Sequence, residues 1–264
     1  MLVFPQLTTG AAALYPMVRR QRVRTVLGRT EDGHCEIFRD VDYFVTEWDL
    51  HMRGLVPSEW EAIRDLFQQT KGQLLSFSLL EPAGNLLARS EDFLDTAWLK
   101  DSALVLTSGQ TDPFGTTRAI RIENTSGSTG IVRQTLDVPG NFVYCFSIWA
   151  RSASNTNIAL TIHAGSVTVS KPYVVGSTWR RIFVSGTTAS PSASEVQFGA
   201  TLAAGAVVDL FAAQAEAQPA PSDYQLRGAT SGVHRVRFAT DELTVTAQAT
   251  EVFDTLVRLV SVED

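Results

Sequence analysis

Four apolar side chains at helical spacing, Trp60, Ile63, Leu66 and Phe67, predict an amphipathic helix over residues 58–70. Ser58 occupies the expected N-cap, and Glu61, three residues on, is placed to reach back as a capping box. Lys71 puts a cation in the last turn, and Gly72 is free to take positive φ. The period then shortens to that of a strand. Over residues 73–80, Leu75, Phe77 and Leu79 alternate with Ser76 and Ser78, the mark of half-burial. One helix and one strand cannot bury each other's apolar faces, so this unit needs strands from elsewhere in the chain.

Residues 1–57 read as strands. The runs 22–27 and 35–38 flank Thr30-Glu31-Asp32-Gly33, a hairpin signal, and 45–52 is a further candidate with Val45 and Trp48 as core residues. After Pro82-Ala83-Gly84-Asn85 the text turns rich in Ser, Thr, Gly and Ala. Strands are expected at 103–107, 118–123, 131–138, 142–151, 158–163, 179–185, 196–202 and 207–216, with almost no helix signal between them. That pattern points to an antiparallel jelly-roll sandwich. Pro219, Pro221 and Ser222 mark a second linker, and three more strands follow at 233–238, 243–247 and 252–262. The outer pieces, 1–84 and 225–264, are each too incomplete to fold alone. We therefore expect a sandwich of residues 85–224 inserted into a discontinuous host domain; three consecutive units are the alternative.

Composition narrows the classes. The chain has 264 residues, 44% hydrophobic and 19% charged, with mean hydropathy +0.03, as in a globular protein with ample material for a core. A net charge of −6 argues against sequence-independent nucleic-acid binding, which needs a basic face. The run Arg19-Arg20-Gln21-Arg22-Val23-Arg24 is then better read as a solvated strand face or a subunit contact. Cys35 and Cys145 offer neither a metal spacing nor a disulfide framework and are expected as buried thiols. No run approaches the ~18 apolar residues of a membrane helix, and the first ten residues show no secretory signal. We expect no membrane insertion and a protein made in a cytoplasm-like compartment.

Two resemblances follow from particular stretches. NLLARSEDFLDTAW (85–98), DPFGTTRAIRI (112–122), FSIWARS (146–152) and FAAQAEAQPAPSDYQL (211–226) together resemble the carbohydrate-binding-module-like jelly roll common in phage tail and fibre proteins. That family typically opens on Asn-Leu-Leu…Ser-Glu-x-Phe…Trp and closes on Gln-x-Glu…Pro-x-x-Tyr. The outer pieces resemble the amino-terminal barrel of phage distal tail proteins, through Phe4-Pro5, the helix 58–70, Lys71-Gly72 and the strand 75–79. The resemblance implies a mainly β fold: a split distal-tail-type β-barrel with one short helix, plus the inserted antiparallel jelly roll. It further implies a tail-tip (baseplate) structural protein of the virion, assembled in the host cytoplasm as a homo-hexameric ring. Its partners would be the tail tube and tail hub proteins. The sandwich would face outward, touching host-surface carbohydrate or strengthening the baseplate. A trimeric tail-fibre or adhesin piece devoted to carbohydrate binding is the alternative.

No catalytic residue stands out. Glycan cleavage needs two carboxylates facing each other across a cleft, whereas Glu91, Asp92, Asp112, Asp209, Glu216 and the other sandwich acids fall mostly in turns or at strand ends. The four histidines are scattered, Gly-x-Ser-x-Gly is missing, and no Cys/His cluster or phosphate-binding glycine loop occurs. No cofactor is expected. Jelly rolls of this kind sometimes hold a structural calcium through turn carboxylates and carbonyls, which the sequence does not place. For sugar binding, pleat alternation sets Tyr144, Phe146, Ile148 and Ala150 against Cys145, Ser147, Trp149 and Arg151; it also sets Ile158, Leu160 and Ile162 against Thr161 and His163. Val196, Phe198 and Ala200 likewise oppose Gln197 and Thr201. A sheet face carrying Trp149, Arg151, His163 and Gln197 would offer a ring for the apolar side of a sugar and donors and acceptors for its hydroxyls. The competing reading has Trp149 under a loop, Arg151 paired with a carboxylate, and the face against a neighbouring subunit. Trp98 and Trp179 read as core or edge packing.

Overall fold

An Asp-Gly turn joins the two longest strands of the chain, β1 (Met17–Arg29) and β2 (Cys35–Leu55). Gly33 takes φ 85°, and its N–H donates to the Thr30 carbonyl at 3.0 Å, which closes the turn. This computed structural model describes residues 1–82 and 84–262, with the backbone alone for residues 41 and 42. Ala83 of the first expected linker lies outside them.

The arginine run resolves into a ladder along this hairpin. Arg20 meets Asp49 at 2.7 Å, Arg22 meets Glu47 at 2.9 Å, and Arg24 pairs with Asp40. Cross-strand neutralisation leaves the run without a continuous basic face, as the reading against nucleic acid expects. The two strands expected at 35–38 and 45–52 are one, with a register shift at Val23/Arg24. The pleat buries Thr46, Trp48, Leu50 and Met52 and leaves Val45, expected in the core, half-buried on the other face. Cys35 is exposed rather than buried, because β2 begins at the tip of the hairpin.

Helix α1 (Pro57–Thr70) starts one residue before the expected Ser58. Pro57 suits the first helical position, where its missing N–H costs nothing. The N-cap is therefore Val56, whose N–H donates to Glu59 Oε2 at 3.0 Å; Ser58 and Glu61 do not form the cap. At the other end Lys71 and Gly72 both take left-handed φ, 53° and 64°. A Cβ on Gly72 would lie 2.4 Å from Asp241 Oδ1, which accepts the Gln73 N–H. β3 (Phe77–Leu80) begins after a turn that leaves Leu75 exposed.

With β14 (Val233–Phe238), β15 (Val245–Ala249) and β16 (Val252–Ser261), these strands make one sheet of order β1-β2-β16-β14-β3, with β15 also pairing β16. The expected barrel does not close among the described residues. Instead α1 lays Ile63 and Leu66 onto the apolar face, in one core with Trp48, Leu50, Phe77 and Leu259. The helix fills the place of a barrel's opposite wall. Among the described residues no helix is long and apolar enough to cross a membrane.

The chain divides into two compact units. Residues 2–7, 13–79 and 234–264 form the one just described, and 80–233, with residue 1 and 8–12, form the other. The second unit is wider than the 85–224 expected, because its flanking segments bond to each other. Glu81 N–H donates to Gly232 O, Gly232 N–H to Leu86 O, and Arg227 pairs with Glu81 at 3.3 Å.

This unit is a two-layer antiparallel sandwich. One sheet contains β4 (Leu99–Lys100), β7 (Gly130–Leu136), β9 (Thr156–Ala164), β10 (Val167–Val175) and β12 (Val196–Leu202), in the order β10-β9-β12-β7-β4. The other contains β5 (Leu104–Gln110), β6 (Ala119–Asn124), β8 (Val143–Arg151), β11 (Arg180–Thr187) and β13 (Val207–Glu216), in the order β11-β8-β13-β6-β5. Tyr144, Phe146, Ile148, Leu160, Ile162 and Phe198 are among the fully buried residues between them, in the alternation the sequence predicts. The unexpected β10 is an edge strand, where Pro172 is tolerated.

The family-like opening and closing motifs clasp each other. Asn85, fully buried, donates to Ala213 O and Gln225 O and accepts from the N–H groups of Leu87 and Ala215. The Ser90 hydroxyl meets the Tyr224 hydroxyl at 2.8 Å, and the Gln214 side chain bonds Asp223 O and Gln225 N–H. These residues hold the two ends of the sandwich together.

Candidate functional site

The outer face of the β11-β8-β13-β6-β5 sheet presents two adjacent cross-strand rows. Registers Arg151↔Asp209 and Asp209↔Arg121 make the first, and Trp179, just before β11, continues it beside Arg151. Registers Arg181↔Trp149 and Trp149↔Phe211 make the second.

In the charged row, Arg121 Nε and Nη2 lie 2.8 and 3.3 Å from the two Asp209 oxygens, and Arg151 Nε lies 3.0 Å from Oδ2. The Arg151 guanidinium sits 4.8 Å from the Trp179 ring centroid. Asp209 holds the Arg121 pKa above its ordinary value, through the hydrogen bond first and charge second.

In the aromatic row, Phe114 packs edge-on to Trp149 and Phe211 at centroid separations of 6.2 and 6.1 Å. Phe114 is 63% exposed and rides on a turn built by Asp112. The Asp112 carboxylate accepts the N–H groups of Phe114 and Thr116 and the Thr116 hydroxyl. Burial opposes its ionisation, but these bonds outweigh burial and lower its pKa. A lowered folded pKa contributes stability that is complete at neutral pH and is lost as pH falls through that value.

Beyond these rows the face closes. The segment after β13 lies over it: Ser222 bonds Glu216, accepts from Arg181 and receives a bond from Gln214, while Tyr224 packs on Phe211. The covering buries Cys145, Ser147, Gln214 and Glu216. Burial first, then the Glu216 charge, pushes the Cys145 thiol up to about 12. A native chain titrated with a thiol reagent at neutral pH should therefore label Cys35 alone, and both cysteines once denatured; two fast thiols in the native state would refute this covering. Three of the four buried side-chain donors without an acceptor among the described residues, Trp149 Nε1, Trp179 Nε1 and Arg181 Nε, belong to this face.

Of the four residues expected together, the structure unites only pairs. Trp149 and Arg151 lie on this face, whereas His163 and Gln197 face each other on β9 and β12 of the opposite sheet. Those two line a pocket of about 350 Å³ with Gly165, Ser192, Ser194 and Glu195, and His163 Nδ1 lies 2.8 Å from Thr168 Oγ1. Two elements of the competing reading hold: Trp149 lies under the Phe114 loop and Arg151 pairs with Asp209. Sequence reasoning missed Phe114, Arg121 and Asp209 and read Trp179 as packing; strand register would have aligned Arg121 and Asp209 with Arg151, whereas Phe114 is brought in by the Asp112 turn.

Three acids of this outer sheet and its flanks have structural partners. Glu91 pairs with Arg118 at 3.0 Å, Asp209 with two arginines, and Glu216 with Ser222. Among the described residues no cluster of three or more His, Cys, Asp or Glu could hold a metal ion.

No protein-family model matches the sequence, and no curated protein matches it. Solved structures similar to about half of the chain do exist. A family 61 carbohydrate-binding module solved with β-1,4-galactotriose is 14% identical over 50% of this chain and 98% of its own, with TM-score 0.38. The C-terminal family 22 carbohydrate-binding module of Clostridium thermocellum Xyn10B is 17% identical over 53% of this chain and 97% of its own, with TM-score 0.41. The enzymatically active domain of bacteriophage CBA120 tailspike protein 4 is 12% identical over 50% of this chain but only 21% of its own, with TM-score 0.39.

Proposed function

We propose that this chain is a non-catalytic tail protein of a phage or phage-like particle, whose sandwich unit binds cell-surface glycan through the outer face of the β11-β8-β13-β6-β5 sheet. The observation that supports this most is the pair of rows on that face. An exposed Phe114 and two half-buried tryptophans stand beside arginines with unused donors, the pairing of flat apolar surface and directed hydrogen bonds that sugars need. A glycan array with the full chain tests it. Trp179→Ala and Phe114→Ala should each cut binding about tenfold or more, while His163→Ala and Gln197→Ala leave it within about twofold. The reverse pattern would move the site to the opposite sheet.

The other unit, in this reading, is of distal-tail type and assembles as a ring of six at the tail tip, between tail tube and tail hub. The helix 57–70, the left-handed Lys71-Gly72 pair and the strand that follows support it. Mass measurement and negative-stain imaging of the purified chain test it. Rings of six sustain the tail-tip assignment, and a stable trimer replaces it with a fibre or adhesin.

A further inference from the structure

We infer that the glycan this face takes is acidic, carrying carboxylates as hexuronic or sialic-type sugars do; this rests on the glycan-binding reading above. In the charged row two guanidiniums share one carboxylate, so Arg121, Asp209 and Arg151 together retain one positive charge. The anion is sunk and the cations are raised: the Asp209 side chain is 6% exposed, against 26% for Arg151 and 45% for Arg121. Arg121 Nη1 and both Nη groups of Arg151 have no acceptor among the described residues; the Arg151 pair is the planar fork that a carboxylate fits, and Arg121 adds one donor and its charge. The acids nearby do not fill that place. Glu91 and Asp112 are engaged by Arg118, and Glu123 stands beside Val207, on the far side of the charged row from the aromatic one. The two rows are about 7 Å apart, two residues of strand rise. One sugar ring against Phe114 and the edge of Trp149 would therefore bring its carboxylate to Arg121 and Arg151. A neutral sugar could meet those donors through its hydroxyls, but it would leave the row's positive charge uncompensated and forgo the stronger charge-assisted, two-pronged bond of a carboxylate.

The test is an array on which polygalacturonate, hyaluronan and polysialic acid are each printed beside a carboxyl-reduced, neutral counterpart, probed with the full chain. The expected result is binding to at least one acidic chain about tenfold or more above its reduced form, weakening as salt rises. Arg121→Gln should abolish that preference, with Asp209 still held by Arg151 and the melting temperature checked for folding. Arg121→Lys, which keeps the charge but cannot both grip Asp209 through two nitrogens and offer a fixed third donor, should recover it only in part. Equal binding to reduced chains, or a preference untouched by Arg121→Gln, would overturn the acidic assignment. The glycan reading would survive that result if Trp179→Ala still abolished binding. A chain that bound nothing on the array would overturn both.

Discussion

Asn85→Ala should lower the melting temperature of the sandwich unit by roughly 10 °C, an expected cost of about 3–5 kcal/mol. Asn85 is wholly inaccessible, and its amide meets four backbone groups from three segments of the unit. Truncation leaves the Leu87 and Ala215 N–H groups and the Ala213 and Gln225 carbonyls without that partner. A buried donor stranded in this way costs about 1–3 kcal/mol, and two are stranded together. The site cannot readily relax. A Cβ on Gly232 would lie only 2.3 Å from the Asn85 carbonyl oxygen, so the backbones already touch there. Asn157→Ala, an exposed asparagine on β9, should cost less than about 0.5 kcal/mol and serves as the control. Hydrogen exchange on warming reads the two units separately and should show early loss of protection over 85–90 and 213–227. A variant melting within 2 °C of the parent would show that water or a local shift replaces the amide's bonds.

The clasp also explains why the motifs at 85–98 and 211–226 were legible while their role was not. Asn85, Ser90, Gln214 and Tyr224 are polar residues in loop-like text, which carries no period. Their partners lie up to 140 residues away, as between Asn85 and Gln225. Local signals fared better. The stripe of Trp60, Ile63, Leu66 and Phe67 located the helix, and the missed detail was Pro57, which begins it a residue early. Alternation in β8, β9 and β12 gave the inward side chains correctly, but alternation fixes a side of a strand and not its sheet. Hence Trp149 and His163 were placed on one face, although long-range pairing sends β8 and β9 to different sheets. β10 escaped notice because an edge strand containing Lys171 and Pro172 buries little. Val45 and Trp48, three residues apart, cannot share one face of a pleated strand, so the assignment of both to the core failed on alternation itself.

The largest effect in the other unit should come from Trp48→Ala, at about 3–5 kcal/mol, with Trp48→Phe costing less than about 1.5 kcal/mol. Trp48 lies mid-strand in β2, opposite Arg19 on one side and Leu259 on the other, and is fully buried. Its ring stands 5.1 Å from that of His234, with the Arg19 guanidinium 5.8 Å away. Alanine removes the whole ring from a core in which two strands and a register are already fixed, so the void cannot collapse. Phenylalanine loses part of that volume but also removes the indole Nε1, a buried donor with no acceptor among the described residues. Burying such a group unpaired is itself unfavourable, which offsets part of the lost packing. Denaturant unfolding followed by hydrogen exchange in β2, β14 and β16 separates the two contributions. If phenylalanine proved as damaging as alanine, the indole N–H would have to be bonded in solution, and the apolar account of this core would be wrong at its centre.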